Sequence, residues 1–323
     1  MQKKVEIVLA TYKPNRIFFE KLLKSLNEQD YSNLFLRIRD DSDDEIESEK
    51  VKKIVEREIK NIPFSLKTNE RNLGSNKTFE LLTEEAIGDY IAYCDQDDIW
   101  ERNKISELIA RMESENSLLG YSDLSVINEE DKLLADSFKD INKRLKHVYG
   151  ESGVFEYLLR RPCVTGCTMM IRTNIAKEAL PFCSEFYVHD HWLSLVSASK
   201  GKISYIAEPL IRYRIHDNNQ IGSKMLDGIK SKEDYFEKKL LKDRRKFEFL
   251  LNVDLFPIEK KEKIQLTLDY LNHRISFFRK RKIHNFFKMI SYFQTDLQLI
   301  LFEIAICLLP NKISEKLLEK FSS

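Results

Sequence analysis

The sequence predicts an α/β fold: a mostly parallel central sheet with helices on both faces, followed by a helical appendage. Three observations carry this. Short apolar runs alternate with segments of helical periodicity through the first hundred residues. Three of those runs end in polar clusters, as strands of an open α/β sheet do where they meet a ligand. From Ser223 onward Gly and Pro nearly vanish and long helical patterns take over.

The elements follow in order. Val5 to Ala10 is almost unbroken apolar sequence, as a strand covered on both faces requires. After the polar turn Thr11-Tyr12-Lys13-Pro14-Asn15, Phe18, Phe19, Leu22, Leu23 and Leu26 recur at helical spacing. Leu34 to Ile38 reads as a second strand, closed by Arg39-Asp40-Asp41-Ser42-Asp43. Ile46, Val51, Ile54, Val55 and Ile59 mark the next helix, and Phe64 to Leu66 a third strand. An Asn-rich loop, Asn69 to Asn76 with Gly74, leads to a helix carrying Phe79, Leu82 and Ala86. Tyr90 to Cys94 is a fourth strand, running into Asp95-Gln-Asp-Asp98 and a helix expected near Trp100. Tyr121-Ser-Asp123 reads as a strand end, Asn128 to Asp131 as a hairpin turn, and 136–149 as a mobile basic loop. Arg161 to Arg172 reads as a strand with Gly166 near its start, where a backbone can approach closely. Asp190 is expected to cap a helix from Trp192 to Ser199. Lys202 to Ile206 is the last strand of the body.

Composition narrows the function. The chain has 323 residues, 42% hydrophobic and 33% charged, enough for a sizeable core and too ordered for a disordered chain. A net charge of +1 excludes a nucleic-acid binder of the usual basic kind. From Lys224 to the end there are 21 Lys and Arg against 14 Asp and Glu, so a basic tail follows an acidic body. Such a tail suits an anionic phospholipid surface, or is simply a set of Lys-rich helix faces. Arg279-Lys-Arg-Lys282 lies between Phe277-Phe278 and Phe286-Phe287. Leu297 to Leu309 is apolar but shorter than the ~20 residues a spanning helix needs. The tail therefore reads as interfacial helices, or as a helical pair packing on the body or on a second subunit. Five irregularly spaced cysteines suit free thiols in a reducing cytosol. The first residues lack a signal-peptide layout and read as a strand that starts at once. No Gly-x-Gly-x-x-Gly or Gly-x-x-x-x-Gly-Lys-Ser/Thr follows a strand, which disfavours dinucleotide and P-loop folds.

Three carboxylates within four positions, Asp95, Asp97 and Asp98, repel one another unless a cation sits among them or a helix N-terminus follows. The polar ends at Thr11-Tyr12 and Asp40-Asp41 belong to the same sheet edge, which favours a site holding Mg²⁺ or Mn²⁺. His189 and His191 flank Asp190 but do not share a helix face well, which disfavours zinc. Asp190 suits a general base as well as a cap.

These segments together resemble a family 2 glycosyltransferase with the GT-A fold over the N-terminal two hundred or so residues. The carrying residues are Val5 to Tyr12, Arg39 to Asp43, Asn72-Leu-Gly74 and Tyr90 to Trp100. Tyr213-Arg-x-His216, followed by Asn and Gly, is similar to the closing motif of the bacterial rhamnosyltransferase-like subgroup. Lys13 stands where the family usually has Asn. The resemblance implies an inverting, metal-dependent transfer of a sugar, L-rhamnose from dTDP-rhamnose first, to a growing lipid-linked cell-surface polysaccharide. A UDP-hexose donor is the alternative; a sugar nucleotidyltransferase would lead with a Gly-rich basic loop that Ala10 to Asn15 lacks. The resemblance also assigns roles. Thr11, Tyr12, Asp41 and Asp95 would hold the nucleotide, Asp97 and His216 the Mn²⁺ or Mg²⁺, and Arg214 the diphosphate. Asp190 would take the acceptor proton, and Gly166 and Trp192 would line the acceptor side. Residues 1–222 would form the catalytic domain, donor half about 1–100 and acceptor half about 101–222, with 223–323 a helical region. A polyprenyl-diphosphate acceptor would bring the enzyme to the cytoplasmic face of the cell membrane, with a homodimer as a further expectation.

Overall fold

The computed structural model describes residues 2–143, 145–216, 228–280, 287–288 and 293–322. Contacts within the chain divide it into two compact units, Met1–Asp217 and Asn218–Ser323.

The first unit opens with β1 (Val5–Thr11), α1 (Arg16–Asn27), β2 (Leu34–Asp40), α2 (Glu45–Glu58), β3 (Phe64–Thr68), α3 (Ser75–Glu85) and β4 (Tyr90–Cys94). The apolar stripes expected of the three helices bury Phe19, Leu22, Leu23, Val51, Val55, Phe79 and Leu82. Ile46 departs from its stripe: at 69% exposed, it sits in the first turn of α2 after the Asp44 cap and misses the core. The unit continues with β5 (Ile99–Trp100), α4 (Lys104–Glu115), β6 (Leu119–Ile127), β7 (Leu133–Ala135), α5 (Phe138–Ile141), α6 (Val154–Leu158), β8 (Met169–Arg172), α7 (Thr173–Glu178), α8 (His189–Lys200) and β9 (Ile203–Arg214).

Among the described residues, one sheet runs β3-β2-β1-β4-β8-β6-β9-β5, with β7 paired to β6. The first four strands are parallel, β8 runs against both β4 and β6, and β6 is parallel to β9. Register sets Thr11 beside Asp40, Asp40 beside Thr68 and Leu9 beside Cys94. The polar strand ends therefore do meet along one edge.

Several expected boundaries move. Trp100 belongs to strand β5, paired to Ile211 of β9, and the helix starts only at Lys104. Tyr121-Ser-Asp123 lies inside β6 rather than at its end. Loop 136–149 carries the short α5. Residues Arg161 to Thr165 are irregular, Gly166–Thr168 form a 3₁₀ turn, and β8 follows. β9 is 12 residues long, so Arg214 ends a strand instead of sitting on a loop.

The second unit is helical. It comprises α9 (Lys232–Asp234), π-type turns at Tyr235–Leu241, α10 (Lys242–Asn252), α11 (Ile258–Lys280), α12 (Phe293–Leu308) and α13 (Asn311–Ser322). Its centre is charged as well as apolar. Arg274 Nε donates to Glu303 Oε2 at 2.8 Å, and the Tyr235 hydroxyl donates to Glu303 Oε1 at 2.7 Å. A buried carboxylate needs such partners, since isolated it would be expensive to desolvate. On α12, Leu297, Leu301 and Leu308 lie exposed at helical spacing. No helix among the described residues is long and apolar enough to cross a membrane. Arg281, Lys282 and Phe286 lie outside the described residues, as do Asp217 to Gly222.

Candidate active site

The site is built on the turn from β4 to β5. Asp98 does not cap a helix. It is wholly buried, and its Oδ1 accepts the backbone N–H of Arg214 at 3.0 Å, tying the acidic stretch to the end of β9. Arg214 itself is 0% exposed. Its Nε donates to the Asp97 carbonyl at 2.9 Å and an Nη to the Asn128 carbonyl at 2.9 Å. It pairs with Asp131 at 2.5 Å and lies over the Phe18 ring at 4.3 Å. This corrects the diphosphate role expected of Arg214: a guanidinium so enclosed holds the protein's own backbone. Two residues on, His216 Nε2 stands 2.8 Å from Asp97 Oδ2, so the two side chains expected to share a cation do meet.

The turn also has a cation that sequence reasoning missed. Lys104, in the first turn of α4, is fully buried. Its ammonium lies 3.3 Å from the centre of the Trp100 ring and donates to the Cys167 carbonyl. Burial lowers its pKa to about 8. Burial, and then the charges of Asp97 and Asp190, push Asp95 up to about 7, with Lys104 opposing. Burial likewise pushes Asp98 well above the usual carboxylate range. One ligand atom each from Asp95, Asp98 and Cys167 falls within 4.8 Å of the others.

Asp190 lies close to the same turn: its Oδ2 binds Gly166, and the next residue, Cys167, groups with Asp95 and Asp98. It lies within α8, whose cap position is Val188, so the capping role gives way to another. Its Oδ2 accepts the Gly166 N–H at 3.0 Å and its Oδ1 the His191 N–H at 2.6 Å. Burial outweighs these bonds and raises the carboxyl to about 6. Gly166 must be glycine for a steric reason: a Cβ there would stand 2.7 Å from His189 Nε2. Thus Gly166 serves to hold Asp190. Trp192 is 1% exposed and its indole N–H donates to the Ala179 carbonyl at 2.8 Å, so it packs the core rather than facing an acceptor. His191 Nε2 is 2.6 Å from the Leu158 carbonyl, away from any shared ligand set with His189.

The nucleotide residues divide. Thr11 is buried and gives its hydroxyl to Asp40 at 2.8 Å. Asp41 is buried and accepts from the N–H groups of Leu73 and Gly74 and from Asn69 Nδ2, each at 2.8 Å. Both therefore shape the edge from behind. Tyr12 stays open at 43% exposed. Its backbone is clasped by the side chain of Gln96, which accepts its N–H at 2.8 Å and donates to its carbonyl at 3.2 Å.

The sequence model of glycosyl transferase family 2 matches residues 7–180, which includes most of β1, the acidic turn and Gly166. The chain belongs to glycosyl transferase family 2. It is similar, at 26% identity over 79% of this chain and 94% of the relative, to the Escherichia coli UDP-Glc:alpha-D-GlcNAc-diphosphoundecaprenol beta-1,3-glucosyltransferase WfgD. It is 25% identical to the Shigella flexneri dTDP-rhamnosyl transferase RfbG, over 67% of this chain and 74% of the relative. An uncharacterised glycosyltransferase of Methanocaldococcus jannaschii matches at 25% over 68% of this chain and 74% of its own. Among solved structures, S. aureus TarS 1–349 in complex with UDP-GlcNAc superposes with a TM-score of 0.58. It covers 99% of this chain and 90% of that one at 15% identity, which establishes a shared GT-A fold.

Family 2 glycosyltransferases commonly use divalent cations, and the side chains here fit one. The Asp97 carboxylate and the His216 imidazole meet, remain partly open, and suit Mg²⁺ or Mn²⁺. The Cys167 thiol of the inner group suits a softer ion, and Lys104 already neutralises that corner. Gly166→Ala forces a Cβ against His189, so it should displace Asp190. The expected result is a tenfold or greater fall in turnover, about 1.4 kcal/mol of barrier, with little change in nucleotide binding; equal turnover in a steady-state assay would refute it.

Proposed function

We propose that this glycosyltransferase is an inverting, cation-dependent enzyme of bacterial cell-surface polysaccharide assembly. The observation that carries the reading is the convergence of Asp190, the acidic turn and the Asp97–His216 pair beyond the end of β4. Residues 1–100 form the donor side and 101–222 the acceptor side, with 223–323 a separate helical region. Tyr12 offers its open ring to the nucleoside, and the Asn69–Gly74 loop held by Asp41 frames it. Asp97 and His216 would hold the cation, whose chemistry when bound is to neutralise the departing diphosphate.

Asp190 takes the proton of the acceptor hydroxyl as that oxygen bonds to the anomeric carbon. The bond from that carbon to the diphosphate oxygen breaks, and the nucleoside diphosphate leaves with the electron pair. Attack and departure on opposite faces invert the configuration. A carboxyl raised to about 6 is well matched to this task, ionised at neutral pH yet more basic than an exposed Asp.

A UDP-hexose is the donor best supported, because the alignment with the UDP-Glc enzyme spans nearly all of that relative. The dTDP-rhamnose reading is kept by the similarity to RfbG. The relative's diphosphoundecaprenol acceptor supports a lipid-linked acceptor here. The exposed Leu297, Leu301 and Leu308 of α12 and the basic end of α11 at Arg279 and Lys280 support peripheral attachment to the inner leaflet.

With UDP-glucose, UDP-GlcNAc and dTDP-rhamnose at 100 times Kd, the donor should add about 2.7 kcal/mol of stability in Mn²⁺. Thermal shift reads this directly, and Asp97→Ala should lose both the Mn²⁺ dependence and turnover; an Asp97→Ala enzyme at wild-type rate rules the cation role out. As pH falls below about 6, Asp190 becomes protonated, so kcat/KM should drop roughly tenfold per unit and level off above it. Asp190→Asn should lose about 10²–10⁴-fold in rate, and a residual rate that kept the same pH profile would assign the base elsewhere. In flotation with vesicles of anionic phospholipid, the chain should rise with the lipid, and Leu297→Glu with Leu301→Glu should leave it at the bottom. Equal flotation of the double variant removes α12 from the contact.

A further inference from the structure

Four aromatic rings form a row on the acceptor half, and the chemistry above uses none of them. Tyr121 of β6 and Tyr205 of β9 are direct neighbours in parallel register, so their side chains share one face of the sheet. Their ring centres are 5.0 Å apart. The His147 ring lies nearly flat on Tyr205, at 4.3 Å and 14°. Tyr149 stacks on Tyr205 at 5.9 Å and 23° and is 61% exposed.

The row is fixed by backbone bonds. The Tyr121 hydroxyl donates to the Val148 carbonyl at 3.0 Å, between the two stacked residues. Gly150 exchanges both backbone bonds with Ile203, at 2.7 and 3.0 Å. Asp123, held by the Ser137 hydroxyl, places an oxygen 3.9 Å from the His147 ring. The inner end points to the candidate base. Tyr121 pairs with Met169 of β8, three residues beyond Gly166, whose N–H holds Asp190. The rings therefore lead outward from the neighbourhood of Asp190 to solvent.

A flat aromatic face with a negative quadrupole attracts the weakly positive C–H face of a pyranose, while hydroxyls around that sugar face seek polar groups at the rim. Tyr149 and Tyr205 supply the face. Packing alone would explain Tyr121 and His147, which are covered. It does not explain why the outermost ring, at the end of an ordered stack, is left open.

We infer that Tyr149 and Tyr205, backed by His147, form a platform for a sugar ring of the acceptor glycan, beside Asp190. This rests on the glycosyltransferase reading with Asp190 on the acceptor side.

The test is saturation-transfer NMR on the full chain. The probes are the methyl glycosides of glucose, galactose, N-acetylglucosamine and rhamnose, with UDP and Mn²⁺ present. At least one glycoside should receive saturation from the wild-type protein. Tyr149→Ala should weaken that signal about tenfold, Tyr149→Phe should keep it, and the UDP signals should be the same in all three. The inference is overturned if no glycoside binds the wild-type chain, or if Tyr149→Ala binds as well as wild type. The UDP signals judge the donor reading separately, because Tyr149 has no part in it. Unchanged UDP signals also show that Tyr149→Ala remains folded.

Discussion

The buried guanidinium of Arg214 is the interaction on which the site's geometry depends. It reaches the Asp97 carbonyl, the Asn128 carbonyl and the Asp131 carboxylate at once. Those groups belong to the acidic turn and the β6–β7 hairpin turn, which lie on either side of the end of β9. Asp98 closes the same joint from the opposite side by accepting the Arg214 N–H. A charge this enclosed is costly to leave without partners, so the groups it binds are held as firmly as it is. The consequence falls on His216. It follows the clamped residue by two positions, and so arrives at Asp97 in one place.

The acidic turn is tolerable for a related reason. Asp95 and Asp98 stand where burial and the neighbouring carboxylates both oppose ionisation. Lys104 supplies a countercharge from beneath, fixed by the Trp100 face and the Cys167 carbonyl. Asp98 and Lys104 form the inner layer, and Asp97 with His216 the outer, more open one. A ligand-binding edge of this kind is strained in isolation and gains most from a cation at its open side.

Much of this was legible from residue patterns, and the failures have identifiable causes. The buried parallel strands and the three covering helices announce themselves through apolar runs and 3.6-residue stripes. Register then makes Thr11, Asp40 and Cys94 neighbours, which the convergence of polar strand ends anticipates. Strand β5 carries two residues and no periodic signal, so Trp100 looked like a helix start. Residue type alone misassigned Arg214, Thr11 and Trp192, since an Arg near carboxylates or a Trp after an acidic motif reads the same whether buried or open. Lys104 gave no signal because a lysine at a helix start is ordinarily solvated. Gly166 reads from sequence as a place of close approach, but its neighbour, His189, is 23 positions away and only the fold brings it near.

The two sides of the edge are also joined to each other. Asp41 binds the N–H groups of Leu73 and Gly74 and so fixes the loop that opens α3. Two residues into that helix's start, the Asn76 side chain donates to the Tyr187 carbonyl and accepts the His189 N–H, both at 2.8 Å. The His189 ring then packs on Phe79 and Tyr93 and presses against Gly166, whose N–H holds Asp190. A buried carboxylate just after the second strand is thus connected, through one loop, one amide and one ring, to the carboxylate placed to accept a proton. These links account for the position of Asp190 by packing and hydrogen bonds within the chain, and they explain why a bulkier residue at 166 would disturb the base first.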